Sequence, residues 1–363
     1  MTLIASHEPP LLPLSVDLET KPVLKKLATA HRALAELKGA AGLVPNEAIL
    51  INTLSLQEAK DSSAIENIIT THDDLYRSDD VADRFASIAA KEVYAYARAL
   101  REGFQTVRDT GLITLNDILA MQATLERNQA GFRRLPGTAL KNDKTGEVVF
   151  TPPQSYDEIA PLMANLERFI NEEDRLDLDP LVKMAVIHHQ FETIHPFYDG
   201  NGRTGRILNI LYLVKENLLG TPVLYLSRYI NQNKADYYRL LQAVRTDGAW
   251  EEWLIFMLDG VEQMAGQTTR IVHRIRDLML DHKVRLRREL PRIYSQDLLN
   301  NMFGHPYSKI AFVQRDLGVS RITATRYLDE LTRIGLMRKH KIGRESYYVN
   351  HALLDLLGNV QTI

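Results

Sequence analysis

Apolar positions along this chain recur mostly at helical spacing. Between residues 23 and 38, Leu24, Leu27, Leu34 and Leu37 mark one face of an amphipathic helix that Gly39 is placed to close. Helical patterning continues to about residue 128, whereas residues 1 to 20, with Pro9, Pro10 and Pro13, read as an extended arm. Residues 180 to 194 place Leu181, Met184, Ala185, Ile187, Phe191 and Ile194 on a second helical pattern. It stops at His195-Pro196, because the residue before a proline is pushed out of the α region. Another apolar helix starts near Arg203 and runs through Ile207, Leu208, Ile210, Leu211 and Val214. Trp250 and Trp253 read as core.

Period-two patterning is brief. Residues 131 to 153 hold two short β-prone runs around the polar turn Asn142 to Gly146, which predicts a hairpin. Its apolar positions are Leu140, Val148, Val149 and Phe150. Basic residues from Arg270 to Arg292 outnumber acids, which predicts a long charged helix over 268–292 joining two domains. Residues 293 to 357 then resemble a winged helix. Ile310 to Leu317 fits a short helix, and Ser320 is the N-cap of the next. That helix should turn Ile322, Leu328, Leu331 and Ile334 inward and end at Gly335. Leu336–Lys339 and Ser346–Val349 are the expected wing strands. Arg321, Thr323, Thr325 and Arg326 would lie on the exposed helix face, with Arg338, Lys339, Lys341 and Arg344 on the wing. DNA is one partner such a surface suits; dimerisation or target recruitment is the other. The fold class expected is mainly α: a helical core with a small β-hairpin, plus a C-terminal winged helix-turn-helix domain.

Composition narrows the class. A chain of 363 residues with 45% hydrophobic and 25% charged content is globular and long enough for two or three domains. A net charge of −2 argues against a surface that binds nucleic acid throughout. The absence of cysteine excludes disulfides, thiolate metal sites and a thiol nucleophile, and fits the cytoplasm. With no charged n-region before an apolar stretch and no 18-residue apolar run, neither a signal peptide nor a membrane span is expected.

The chemistry concentrates in His195-Pro196-Phe197-Tyr198-Asp199-Gly200-Asn201-Gly202-Arg203-Thr204-Gly205-Arg206. Histidine takes a proton near neutral pH. Asp199 is a hard oxygen ligand that suits Mg2+. The Gly200-Asn201-Gly202 turn opens a helix N-terminus, where free N–H groups and the helix dipole favour phosphate. Arg203 and Arg206 are three apart on one face, and each can grip a phosphate. The set fits a magnesium-bound nucleoside triphosphate and a nucleophile that must lose a proton.

The string matches His-Pro-Phe-x-(Asp/Glu)-Gly-Asn-Gly-Arg-x-x-Arg, so the chain resembles Fic-family protein adenylyltransferases. The resemblance implies His195 as the base, Asp199 as the metal ligand, Gly200 to Gly202 as the anion hole, Arg203 near the reacting phosphates and Arg206 on the γ-phosphate. ATP would contact His195 through Arg203, Gly205 and Arg206. The reaction implied moves AMP from ATP onto a Ser, Thr or Tyr hydroxyl of a target protein. Ser62-Ser63-Ala64-Ile65-Glu66-Asn67 fits the family's inhibitory pattern (Ser/Thr)-x-x-x-Glu-(Gly/Asn), which implies that Glu66 pairs with Arg206 and denies it to the γ-phosphate. In the family the hairpin is a flap that pairs with target backbone, a role implied here for Leu140, Val148, Val149 and Phe150. Tyr237 and Tyr238 match tyrosines often near the adenine, though both also fit an ordinary core.

The domain layout expected is a helical region with the inhibitory motif over 1–105, a Fic core over 106–267 with its flap at about 133–153, a linker over 268–292 and the winged helix over 293–363. A homodimer is a further expectation. Two alternatives stay open. The same site could remove AMP from a modified target, with Glu66 positioning a water. The Fic core could also serve as the nucleotide sensor of a DNA-binding regulator.

Overall fold

In the computed structural model, residues 9–78, 84–141, 145–172, 178–342 and 345–358 are described. The chain is mainly helical, with two small antiparallel sheets among the described residues. The helices are α1 (Lys21–Ala41), α2 (Glu47–Ile65), α3 (His72–Arg77), α4 (Ile88–Thr110), α5 (Leu115–Glu126), α6 (Tyr156–Asn171), α7 (Pro180–Ile194), α8 (Asn201–Lys215), α9 (Leu226–Gln232), α10 (Lys234–Asp247) and α11 (Trp250–Glu289). Strands β1 (Leu140–Lys141) and β2 (Val148–Phe150) form the hairpin, with Leu140 opposite Phe150. No helix among the described residues is long and apolar enough to cross a membrane.

Helices α7 and α8 form the centre. Every side chain of α7 from Leu181 to Ile194 is buried, and so is nearly every one of α8. A helix apolar on all sides belongs inside a core rather than on a surface. Trp253 of α11 completes the packing beneath α7. It is fully buried, its indole N–H donates to Ala185 O at 3.0 Å, and its ring stacks on His188 at 6.0 Å. Tyr237 joins this aromatic cluster and exchanges a 2.9 Å hydrogen bond with His188.

Helix α2 packs against α4, α8 and α9, and it carries unusual polar cargo for a core helix. Glu58 is buried and ties α2 to the start of α9, accepting from the Ser227 hydroxyl, the Ser227 N–H at 3.1 Å and the Tyr96 hydroxyl at 3.1 Å. Burial pushes its carboxyl up to about 7, against the Ser227 hydrogen bonds that lower it. The helix ends at Ile65. Asn67, at φ +64°, occupies the left-handed position that stops it. Asn67 N–H reaches Ala64 O at 3.1 Å and Ile68 N–H reaches Ser63 O at 3.0 Å, the paired bonds of a Schellman ending. The Gly/Asn alternative at this sequence position therefore has a backbone cause.

Several expectations are corrected. Gly39 lies inside α1, which continues to Ala41 and is capped at Gly42, because a helix backed by α11 tolerates one glycine. The helix after the glycine turn begins at Asn201 rather than near Arg203. The charged helix over 268–292 has no start of its own, since it is the latter part of α11, which runs unbroken for 40 residues from Trp250. The extended arm before α1 is anchored over its described part: Leu12 and Leu18 are buried, and Asn165 brackets the Leu12 backbone with two 2.8 Å bonds.

The C-terminal segment contains α12 (Gln296–Gly304), β3 (Tyr307–Ser308), α13 (Ile310–Leu317), α14 (Arg321–Arg333), β4 (Arg338–Ile342), β5 (Glu345–Val349) and α15 (His351–Gly358). Its sheet order is β3-β5-β4, all antiparallel. Ser320 caps α14 through Thr323 N–H at 3.2 Å. Ile322 does not point inward. It is 83% exposed, because the buried stripe runs Ala324, Leu328, Leu331, and a residue two before Ala324 falls on the opposite face. Arg344 and the turn residues 142–144 lie outside the described residues.

Two stability tests follow. Asn67→Gly should leave the denaturation midpoint close to wild type, whereas Asn67→Val should lose about 1–2 kcal/mol, the cost of forcing a β-branched residue into the left-handed region. Trp253→Ala should lose about 3–5 kcal/mol in the same assay, as expected for an emptied aromatic site in a packed core.

Candidate active site

His195 ends α7. Its N–H still bonds to Phe191 O at 2.9 Å, but its backbone sits at φ +48° and ψ +59°, which turns the chain sharply before Pro196. A non-glycine residue held there costs about 1–2 kcal/mol and persists only where surroundings impose it. Here the surroundings are explicit. Asn201 reaches back and brackets Phe197, accepting from its N–H and donating to its carbonyl, both at 2.8 Å. Phe197 is buried against Phe132 and Phe191. Tyr198 leaves its ring half exposed, while its hydroxyl accepts from the Arg134 and Leu135 N–H groups at 3.0 and 3.1 Å. Those two bonds lower its pKa.

Gly200, at φ +78°, is the N-cap of α8 and contributes no side-chain cap. The first N–H groups of α8 are therefore offered outward with the positive end of the helix dipole. A β-carbon on Gly200 would meet Glu126 Oε1 at 2.5 Å, and one on Gly202 would meet Glu66 Oε1 at 2.7 Å. The glycines thus allow carboxylates to press against the turn, in the place suited to an anion.

Glu66 fills that place. Its Oε1 accepts from Arg206 Nη2 at 2.8 Å, and its Oε2 lies 2.7 Å from Arg203 Nε. Ser62, one helical turn earlier, takes the rest of the Arg206 fork: its hydroxyl accepts from Nε at 2.7 Å and its carbonyl from Nη2 at 3.1 Å. Both guanidiniums are almost fully buried, at 3% exposure. Burial alone would lower their pKa values, yet Glu66 and the other nearby acids raise both. Each arginine is therefore fixed as a cation.

Arg203 also contacts Glu126 of α5 at 2.8 Å and Glu92 of α4 at 3.1 Å, with Asp199 at 3.9 Å. Burial lifts Glu126 to about 7; Arg203 opposes that, and Asp199, Glu66 and Glu92 add to it. Glu92 and Glu126 are site residues that sequence reading missed, because nothing local marks a glutamate two helices away as an arginine partner. Glu192, in the last turn of α7, was missed for the same reason. It is buried, pushed up to about 7 by burial against the pull of Arg206, and close to Gly205.

The His195 side chain is neutral. Burial, then the cations of Arg133 and Arg245, push the His195 imidazole down to about 3. Asp199 is 76% exposed at its side chain, with one oxygen on Gly200 N–H at 2.7 Å. Among the described residues no group of three or more His, Cys, Asp or Glu could hold a metal unaided. A single open carboxylate beside phosphate-binding N–H groups does fit a hard cation whose other ligands are phosphate oxygens and water.

The two tyrosines separate. Tyr237 is 1% exposed within the aromatic cluster and presents no face to a nucleotide, which corrects its expected adenine contact. Tyr238 is 48% exposed and meets Tyr237 edge-on at 5.1 Å. On the hairpin, Val148 and Val149 are exposed, Leu140 is partly buried and Phe150 is buried.

Comparison with known proteins gives three family matches. The Fic/DOC family N-terminal model matches residues 24–105, the Fic/DOC family model 112–213, and the model "Protein adenylyltransferase SoFic-like, C-terminal domain" 278–353. The chain is 30% identical over 186 residues to a protein from Aquifex aeolicus described as a probable protein adenylyltransferase, covering 50% of this chain and 54% of that one. It is 32% identical over 111 residues to protein adenylyltransferase Fic of Drosophila melanogaster, covering 31% and 21%. It thus spans about half or less of the length of these curated relatives. A Fic family protein from Desulfovibrio desulfuricans G20 shares the fold at a TM-score of 0.56 and 20% identity, over 93% of this chain and 97% of that one. Fic-1 of C. elegans does so at 0.53 and 20%, over 69% and 73%. With its glycine turn, paired arginines and terminal histidine arranged as described, and with the two Fic/DOC family models matching residues 24–105 and 112–213, the chain belongs to the Fic/DOC family.

Proposed function

We propose that this chain is a protein adenylyltransferase held off by its own Glu66. The observation that carries the reading is the single carboxylate shared between Arg203 and Arg206 at the open N-terminus of α8. An anion site with two buried cations is prepared, and an internal anion occupies it. The relatives named as adenylyltransferases supply the donor and the reaction class.

In the active state the triphosphate replaces Glu66. Its α- and β-phosphates lie against the α8 N–H groups, Arg203 holds the phosphates nearer the reacting centre, and Arg206 holds the γ-phosphate. His195 accepts the proton of a target hydroxyl, whose oxygen attacks the α-phosphorus of ATP. A new O–P bond forms, the α–β bridging bond breaks, and pyrophosphate leaves. Magnesium held by Asp199 would neutralise phosphate charge. The arginines and N–H groups, already oriented, stabilise the charge that builds up in the transition state. The neutral imidazole is in the state that can accept a proton, and the incoming polyphosphate raises its proton affinity toward the useful range. Val148 and Val149 present the flap edge to target backbone.

The inhibition has a physical scale. Charge-assisted hydrogen bonds contribute about 1.5–3 kcal/mol each, so a carboxylate that keeps the Arg206 fork from the γ-phosphate opposes productive binding by roughly tenfold or more. The segment over 293–363 reads as a winged helix joined to a core over 106–267. Exposed Ile322 beside Arg321 and Arg326 on α14, with Arg338, Lys339 and Lys341 on β4, suits recruitment of a partner. AMP removal is a second reading, favoured by the position of Glu66 against Gly202, where it could orient a water. It predicts release of AMP from a labelled target by wild type and not by Glu66→Gly.

Label position tests the transfer reading. In a Glu66→Gly chain, label on the α-phosphate of ATP should become protein-bound and label on the γ-phosphate should not. Adding His195→Ala should abolish the signal while ATP affinity, read by calorimetry, stays within about threefold, since the phosphate contacts are untouched. Protein-bound γ-label, or transfer that survives loss of His195, would rule the assignment out.

A further inference from the structure

Two guanidiniums outside the glycine-turn motif converge on the His195 loop. Arg133 stands at the root of the hairpin and is fully buried. Its Nε donates to His195 O at 2.8 Å, its Nη2 donates to Pro153 O at 2.7 Å just beyond β2, and its backbone N–H donates to Pro196 O at 2.8 Å. Arg245 comes from α10. Its Nε donates to Thr193 Oγ1 at 3.1 Å and its Nη2 to Glu192 O at 3.2 Å, both in the last turn of α7. Its guanidinium lies 4.1 Å from the centre of the Phe150 ring on β2, a close cation–π contact. Each arginine therefore touches the chain beside His195 and the hairpin at once.

We propose that Arg133 and Arg245 are positioning residues that clasp the flap to the His195 loop, so that target docking and the base are held in one rigid frame. The inference rests on the transferase reading. A flap that binds target backbone fixes the hydroxyl only as well as the flap itself is fixed to the base. Bidentate, planar guanidinium contacts supply that constraint in a way a lysine cannot. A left-handed His195 also requires an external anchor on its carbonyl, which Arg133 provides. The same two cations act on the imidazole, from the hairpin root and from α10, and the backbone carbonyl of Glu192 on α7 opposes them. Loss of either cation should make His195 easier to protonate; loosening would also relieve the burial that lowers it, so the readout that separates the two is Arg245→Lys, which restores the charge but not the planar fork.

The test uses the full chain in the Glu66→Gly background with Arg133→Gln, Arg245→Gln and Arg245→Lys. Each Gln variant should bind ATP within about twofold of its parent and transfer AMP at least ~10-fold more slowly, the scale of a misplaced reacting pair. The acid limb of its rate profile should move to higher pH. Arg245→Lys should return the limb toward its original position without restoring the rate. In parallel, the imidazole of His195, one of 11 histidines and assigned through His195→Ala, should titrate at higher pH by NMR in the Gln variants. Unchanged rates and titration in the Gln variants would overturn the clasp. So would a rate loss matched by an equal loss of ATP affinity with the titration unmoved. If Arg133→Gln fails to fold, half-buried Arg245 carries the test. If the Glu66→Gly parent shows no transfer at all, the transferase reading fails, and the NMR titration still decides the clasp.

Discussion

Glu66 sets one carboxylate oxygen on Arg206 and the other beside Arg203, at the N-terminal end of α8. Two buried guanidiniums next to a helix dipole form a strongly positive cavity, and such a cavity is stable only when an anion fills it. Here that anion is the carboxylate of Glu66. On the proposed reading, the cost of holding Arg203 and Arg206 ready for phosphate is offset by the residue that excludes phosphate, so readiness and inhibition are two consequences of one ion cluster. Both depend on the α2 ending that delivers Glu66 to it.

The remaining architecture serves to keep that cluster in register. Helices α7 and α8 are buried on nearly all sides, so the turn between them has little freedom. Asn201 brackets Phe197, Ser62 shares the Arg206 fork, and the Schellman ending at Asn67 fixes where α2 stops. Glu58 anchors the same helix to Ser227 at the start of α9. On the proposed reading, moving the brake means disturbing a helix held at several points, and release needs an input strong enough to shift α2.

Much of this was legible in the sequence, for reasons that are local. The run from His195 to Arg206 carries its candidate chemistry within one turn and two helix ends, so that chemistry is visible in the spacing, while the individual roles come from the family resemblance. Glu66 was legible because Ser62 and Glu66 lie four apart in a short family pattern that Asn67 completes. The partners of Arg203 were not, because Glu92 and Glu126 reach it from α4 and α5 through tertiary packing. Arg133 and Arg245 were hidden likewise, as buried cations bonding to backbone carbonyls that carry no sequence mark. Ile322 misled because an apolar residue in a helix was counted inward without checking its phase against Ala324 and Leu328. Tyr237 misled because its neighbour Tyr238 has the same side chain on a different face. The unbroken α11 shows that a change in surface charge need not start a new helix when one face stays apolar.

The most direct measurement compares initial rates of α-labelled AMP incorporation for wild type, Glu66→Gln and Glu66→Gly at saturating ATP and magnesium. If a carboxylate occupying the arginine pair is the brake, wild type is slowest. Glu66→Gln, which keeps the shape and loses the charge, is then intermediate, and Glu66→Gly is fastest by at least ~10-fold. Equal rates in all three would contradict the account, because the ion pairs of Glu66 would then have no hold on the chemistry of the site.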